Sequence, residues 1–246
     1  MANIFTSSIG KKLIMSVSGL FLIVFLLLHL TINALSLISE EAFQAGCDFM
    51  ALPIVTVMVP VLAAGFIIHI IYGFYLSATN LKARGKERYA VAHKGAADNW
   101  ASKNMLVLGI IVLGVLGFHL THFWADMQFA EIMGMHEIVK AGHTVAPTNG
   151  AAMIAINFSN PVIVALYVVW LAAIWFHLSH GFWSALHTIG WNGKNWLKRL
   201  ECISNVYTTI IVLGFIAVPV LFFVQSLMDP NFVVEYIKST MEVACH

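Results

Sequence analysis

Five apolar runs, at about 13–38, 52–78, 104–127, 160–188 and 204–228, constrain this chain more than any other feature. Each exceeds the ~20 residues that a helix needs to cross a bilayer core. The expected fold is therefore an all-α integral membrane protein with five transmembrane helices, I to V, in a single domain over residues 1–246. Composition agrees: 60% of the residues are hydrophobic and 10% charged, against roughly 25% charged in a soluble domain. A net charge of +1 gives no electrostatic case for a nucleic-acid partner. Cys47, Cys202 and Cys245 are scattered with no CxxC, which argues against a thiol redox motif or a cysteine-held cluster. Lys11 and Lys12 precede the first run as in a signal peptide, but the run continues to about Ile38 and reads as a spanning helix. Pro53 and Pro161 fall in first turns, where proline costs little. Pro60 and Pro219 lie inside runs, where membrane helices tolerate them as kinks.

The connections carry opposite charge in alternation. Lys11 and Lys12 precede helix I; Lys82, Arg84, Lys86, Arg88, Lys94 and Lys103 join II to III; Lys194, Lys198 and Arg199 join IV to V. These are eleven of the thirteen basic residues. The other side has Lys140 and Lys238 with Glu40, Glu41, Asp48, Asp126, Glu131 and Glu137. Basic loops stay in the cytoplasm, so the N-terminus is expected inside and the C-terminus outside. The segment 128–159 then faces out, with room for a short surface helix, and 229–246 reads as a polar tail.

A histidine is out of place in an apolar run, and four of the runs have one. His177 begins HLSHGFWSALH at the end of helix IV, and His69 begins HIIYGFYLS at the end of helix II. Both read His-x-x-x-Gly-Phe, with Gly181 and Gly73 one turn after the histidine on its own face. A glycine there leaves a flat gap for a planar group. Helices I and III share another pattern: Gly19 is followed ten residues later by His29-Leu30, and Gly109 by His119-Leu120. At ~1.5 Å rise per residue, His29 and His119 stand about 24 and 22 Å from the inner helix ends, and His69 and His177 about 14 and 16 Å. The four thus sort into an outer and an inner pair.

Polar side chains inside a membrane are costly and mark function. The chemistry that matches four histidines in two levels is a pair of bis-imidazole haems. His29 and His119 would hold the outer iron, and His69 and His177 the inner one, in a core of helices I–IV with two stacked haems and helix V peripheral. The competing account is helix–helix hydrogen bonding without a cofactor. His122 and His180, one turn beyond His119 and His177, are alternative ligands, or partners for a propionate, a quinone or another helix. His187 lies near the inner surface, as a propionate contact or a plain interfacial histidine. Ser16, Gly19 and Gly109 are either packing sites or room for a haem edge. Trp170, Trp175 and Trp183 could pack on porphyrin; Trp100, Trp124, Trp191 and Trp196 fit an interfacial belt. His93, His136, His143 and His246 read as solvated.

The stretches SSIGKKLIMSVSGLFLIVFLLLHL, HIIYGFYLSATN, GFHLTHFW and FHLSHGFWSALHTIGW resemble a known family. They look like the cytochrome b membrane-anchor subunit of succinate dehydrogenase and fumarate reductase, in its single-chain, five-helix, di-haem b558 class. The resemblance covers nearly the whole chain. It implies axial ligands from helices I with III and II with IV, hence His29, His119, His69 and His177. It further implies two haem b and electron exchange with a membrane quinone, menaquinone being usual for the class. Its partners would be a flavoprotein with covalent FAD and an iron–sulfur subunit, docked on the cytoplasmic loops 79–103 and 189–203 in a bacterial inner membrane. The whole complex could form a dimer, and no dicarboxylate site is expected on this chain. Trp175 stands where some members carry a glutamate associated with proton transfer, so that route is not implied. Acidic residues near the outer ends of helices I and II serve the quinone in the family; Glu40, Glu41, Gln44 and Asp48 occupy that region here, either as such a site or as a solvated loop.

Three other readings are open. A formate dehydrogenase or hydrogenase cytochrome b also uses two histidine-ligated haems, with different ligand spacing. A di-iron membrane hydroxylase needs clustered histidines at one surface, whereas His119/His122 and His177/His180 differ in depth. A haem-free histidine-relay transporter would purify colourless.

Overall fold

The structure, a computed structural model, describes residues 7–84, 100–191 and 193–243. His93, Lys86, Arg88, Lys94, Cys245 and His246, and with them most of the basic II–III loop, lie outside the described residues. The protein is an integral membrane protein, all-α among the described residues apart from one small hairpin. Helices α1 (Ser8–Leu35), α2 (Glu40–Ala51), α3 (Pro53–Arg84), α4 (Trp100–Lys103) and α5 (Met105–His119) come first. A π-helical segment, Leu120–Phe129, and α6 (Ala130–Ile132) continue α5. Then come β1 (Ile138–Lys140), β2 (His143–Val145), α7 (Gly150–Phe158), α8 (Pro161–Thr188), α9 (Lys194–Met228) and α10 (Phe232–Val243). Among the described residues, five helices are long and apolar enough to cross a membrane: Ser8–Leu35, Pro53–Ala83, Met105–Ile132, Pro161–Thr188 and Asn195–Met228. These are helices I to V of the sequence, with I starting earlier, II ending later and V beginning nine residues sooner than its apolar run.

Local chemistry sets the boundaries. Ser39 Oγ accepts from the Ala42 backbone N–H at the start of α2, and Glu40 and Glu41 fill its first turn, where carboxylates favour the helix dipole. Asn149 Oδ1 caps α7 through the Ala152 N–H at 2.9 Å. Asn160 Oδ1 accepts from Val162 N at 2.9 Å beside Pro161, a residue whose missing N–H is no loss at a helix start.

The chain packs as two compact units, each taken by itself. The first comprises the described residues of Met1–Leu26, Val59–Val112 and Ala173–Ile210. In it Ala101, Leu108 and Ala173 form a buried cluster. Gly65 is needed where α3 meets Phe21, since a Cβ there would lie 2.6 Å from the Phe21 ring. Helix α9, expected at the periphery, carries none of the four paired histidines but is firmly packed: Ser204 Oγ donates to the Ser179 carbonyl at 2.6 Å and the Tyr207 hydroxyl to the Ile23 carbonyl at 3.0 Å. The span that buries none of its most apolar window is α3.

The second unit comprises the described residues of Leu27–Met58, Leu113–Ala172 and Ile211–His246. Two sequence expectations are corrected here. The short helix in 128–159 exists as α7, but every one of its residues is buried rather than on the surface. The tail is largely the helix α10, whose Ile237 joins Val145, Ala152, Met153 and Ile156 in one core. Asn149 Nδ2 donates to Thr240 Oγ1 at 2.9 Å, tying α10 to the start of α7. The reason is compositional: α7 is apolar all round, and such a helix is stable only when enclosed.

The hairpin turn places Ala141 and Gly142 at φ 49° and 84°, the two positive values of a tight two-residue hairpin. Lys140 at its edge forms an ion pair with Asp126 and donates to the His122 carbonyl at 2.6 Å, which also accepts from Asn157 Nδ2 at 3.3 Å. Both bonds land in the π-helical turns, where wider winding frees carbonyls for outside donors.

Gly150 is the tightest approach in this unit. A Cβ there would sit 2.5 Å from Cys47 Sγ, 3.2 Å from Met127 Cε and 3.3 Å from Phe43 Cε1. We expect Gly150→Val to destabilise the protein by about 1–3 kcal/mol through overpacking, read as a lowered Tm in detergent. Burial, with the Asp48 carboxylate adding to it, pushes the Cys47 thiol up to about 12, so at neutral pH Cys47 is a small apolar packing group.

Candidate functional site

Each unit holds one pair of facing histidines. In the second unit the His29 and His119 rings have centroids 5.9 Å apart with planes at 85°. In the first, His69 and His177 lie 6.3 Å apart at 72°. Two imidazoles on opposite sides of one metal ion, each with a metal–nitrogen bond of about 2.0 Å and about 1.1 Å from nitrogen to ring centre, have centroids about 6 Å apart. Both pairs have that spacing, and they are the partners expected from depth. His122 and His180 are elsewhere. His122 Nδ1 donates to the Phe118 carbonyl at 3.0 Å, with its ring 3.7 Å from that of Phe118. His180 packs edge-on against Trp183 at 5.0 Å, and its Nδ1 is buried without a partner. His187 is exposed, 6.4 Å from Trp183.

The glycines sort differently from their positions in the motifs. A Cβ at Gly19 would lie 3.2 Å from His69 Cε1, and one at Gly109 would lie 3.7 Å from His177 Cε1. The rings of one pair are thus backed by glycines from other helices. Gly181 borders open space and a Cβ at Gly73 would meet Met15 Cε at 3.6 Å. Side chains on a helix lean towards its N-terminus, so a histidine ring lies over the turn before it, away from the glycine four residues later. Ser16 is buried on α1 near Gly19.

Two residues at the rings were not singled out in the sequence. Ser18 Oγ lies 3.4 Å from His69 Nδ1 while donating to the Met15 carbonyl at 3.0 Å. The Tyr167 hydroxyl lies 3.1 Å from His119 Nδ1. A hydroxyl in an apolar run is itself a flag; no spacing rule joins Ser18 to His69 or Tyr167 to His119. Trp170, expected against a cofactor, stacks near His119 at 5.6 Å, and Phe215 near His29 at 5.5 Å. Trp175 Nε1 donates to Thr209 Oγ1 at 3.0 Å, a helix-packing contact.

The acidic candidates are strung along α2. Glu40 accepts from Ser239 Oγ at 2.8 Å. Gln44 Nε2 donates to Asp48 Oδ1 at 2.8 Å and to the Thr148 carbonyl at 3.3 Å. Glu41 is solvent-exposed, and hydrogen bonds from its own backbone N–H and then Ser39 hold its carboxyl below the usual range. A cavity of about 460 Å³ in this unit is lined by His143, Phe223 and Asp229 among others, and by none of these four.

No family model matches the chain, and no solved structure matches it. A curated relative does: the chain is 29% identical over 195 residues, 76% of its own length and 81% of the relative's, to the succinate dehydrogenase cytochrome b558 subunit of Bacillus subtilis (strain 168). The resemblance carried by the histidine motifs is borne out, and the chain is similar over most of its length to a b558-type cytochrome subunit.

Proposed function

We propose that this chain is the di-haem cytochrome b subunit of a succinate:quinone oxidoreductase or quinol:fumarate reductase. It would pass electrons between an iron–sulfur subunit and membrane quinone, and anchor the catalytic subunits. The observation that carries the reading is the sorting of four intramembrane histidines into two facing pairs, 5.9 and 6.3 Å between ring centroids. Two imidazoles alone are too few for a bare metal ion, which takes about four or more ligands. Among the described residues no three His, Cys, Asp or Glu side chains gather to make up the number. A porphyrin brings four nitrogens of its own, so a pair of imidazoles would suffice to hold it.

Haem b, when bound, would supply a one-electron carrier at its iron. His29 with His119 would hold one haem, and His69 with His177 the other, through their imidazole nitrogens. Gly19 and Gly109 leave flat walls against the His69 and His177 rings. Trp170 and Phe215 wall the other pair, and apolar walls keep water from the ligand nitrogens. Gly73, Gly181, His180 and His187 remain the further cofactor contacts we propose, and Glu40, Glu41, Gln44 and Asp48 the polar groups offered to a quinone, with menaquinone as the expected one.

The relative named a succinate dehydrogenase subunit supports the partner reading: a flavoprotein and an iron–sulfur subunit bind the cytoplasmic face, which the basic loops mark by the positive-inside rule. The N-terminus would be cytoplasmic and the membrane the bacterial inner membrane. The test is haem quantification with a reduced-minus-oxidised spectrum on the purified chain. Two haem b per chain are expected; a colourless protein would end the reading in favour of a histidine relay.

A further inference from the structure

We infer that Tyr167 is a positioning residue for His119: its phenol oxygen accepts a hydrogen bond from Nδ1–H and so leaves Nε2 as the nitrogen presented to iron. The inference rests on the haem reading above. A neutral imidazole carries one proton, and the partner of one nitrogen decides which lone pair is free. Tyr167 is 5% exposed, and its oxygen is 3.1 Å from His119 Nδ1. Its ring is wedged between Phe158 at 5.2 Å, Trp170 at 5.6 Å and Phe123 at 6.2 Å, so close packing fixes where the hydroxyl points. Phe123 also lies along the His119 ring itself, at 5.4 Å and 33°.

In the other pair His69 Nδ1 lies 3.4 Å from Ser18 Oγ and the His69 ring is also hydrogen-bonded to the Met15 backbone, while His177 Nδ1 is buried with no partner. A hydrogen bond at the outer nitrogen raises the basicity of a ligating imidazole, and a more basic ligand favours ferric over ferrous iron. Tyr167 therefore holds the His29–His119 haem at a lower potential than its ligands alone would set.

The experiment is a potentiometric titration of the haem-loaded full chain carrying Tyr167→Phe, which keeps the ring and removes only the oxygen. The His29–His119 haem is identified as the one lost in His29→Ala. Its ferrous-to-ferric equilibrium constant is expected to rise about fivefold, the size of one ordinary hydrogen bond, or about 40 mV at about 59 mV per tenfold for one electron. Its low-spin ferric EPR signal should move, while the other haem keeps its potential and its signal. Selective loss of that haem from Tyr167→Phe would also support the role. Ser18→Ala removes a hydroxyl beside the other pair instead, and should leave the His29–His119 potential in place. An unchanged potential in Tyr167→Phe, an equal shift of the same haem in Ser18→Ala, or loss of both haems from Tyr167→Phe would overturn the inference while leaving the haem reading intact. An unaltered chain without haem would overturn both.

Discussion

Alanine at His29 or at His119 is expected to empty the same haem site, and alanine at His69 or His177 to empty the other. Each substitution should take the purified protein from two haem b per chain to one. The His29 and His119 rings face each other across 5.9 Å, so removing either leaves an iron with one imidazole and no second side chain at hand: among the described residues there is no third His, Cys, Asp or Glu gathered beside a pair. His122, three residues on, cannot step in without breaking its bond to the Phe118 carbonyl and leaving its stack on the Phe118 ring. The other pair has its own supports, Gly19, Gly109 and Ser18, and should keep its haem. Haem content and difference spectra of the four variants read this directly. Loss of one haem from a cross-pair, such as His29 with His177, would falsify the assignment.

Gly19→Leu is expected to have nearly as large an effect without touching a ligand. The first added carbon would already stand 3.2 Å from His69 Cε1 and 3.6 Å from its Nδ1, and three more carbons would follow into the ring. The imidazole must leave its rotamer, at a cost of about 1–3 kcal/mol for such overpacking, and then no longer faces His177. The expected product is a folded protein with the His29–His119 haem and without the other. Retention of both haems with unaltered potentials would show that the close approach of α1 to His69 plays no part in the site.

Much of this was legible because a few physical scales act along the chain alone. An apolar run of some twenty residues has one way to satisfy its backbone in lipid, as a helix, so the spans were fixed by counting. A constant rise per residue turned the positions of His29, His69, His119 and His177 into depths, and depth alone paired them as the structure does. The helix over Glu40–Ala51, capped by Ser39, was not legible from these scales; its sequence reads as a quinone site or a solvated loop. Less was legible in 128–159 and 229–246. A hairpin turned by Ala141 and Gly142, with neither Asn nor Asp, gives little sequence signal. Lys140, one of two exceptions to the charge asymmetry, is spoken for by Asp126 and the His122 carbonyl. The π-helical winding from Leu120 has no residue signature in the run that contains it.

By itself the sequence determined the membrane as solvent, the five spans and which histidines stand at a common level, since length, hydropathy and rise per residue need no knowledge of neighbours. Only the tertiary structure decided what touches the rings: Tyr167 at His119 and Ser18 at His69, from 48 and 51 residues away in the chain. Those contacts depend on how each helix is turned about its axis. A helix apolar on every side, in a solvent as apolar as itself, has no hydrophobic stripe to set that angle. The angle is settled by close packing, such as Phe21 over Gly65, and by the few hydrogen bonds that cross between helices, such as that from Ser204 to the Ser179 carbonyl.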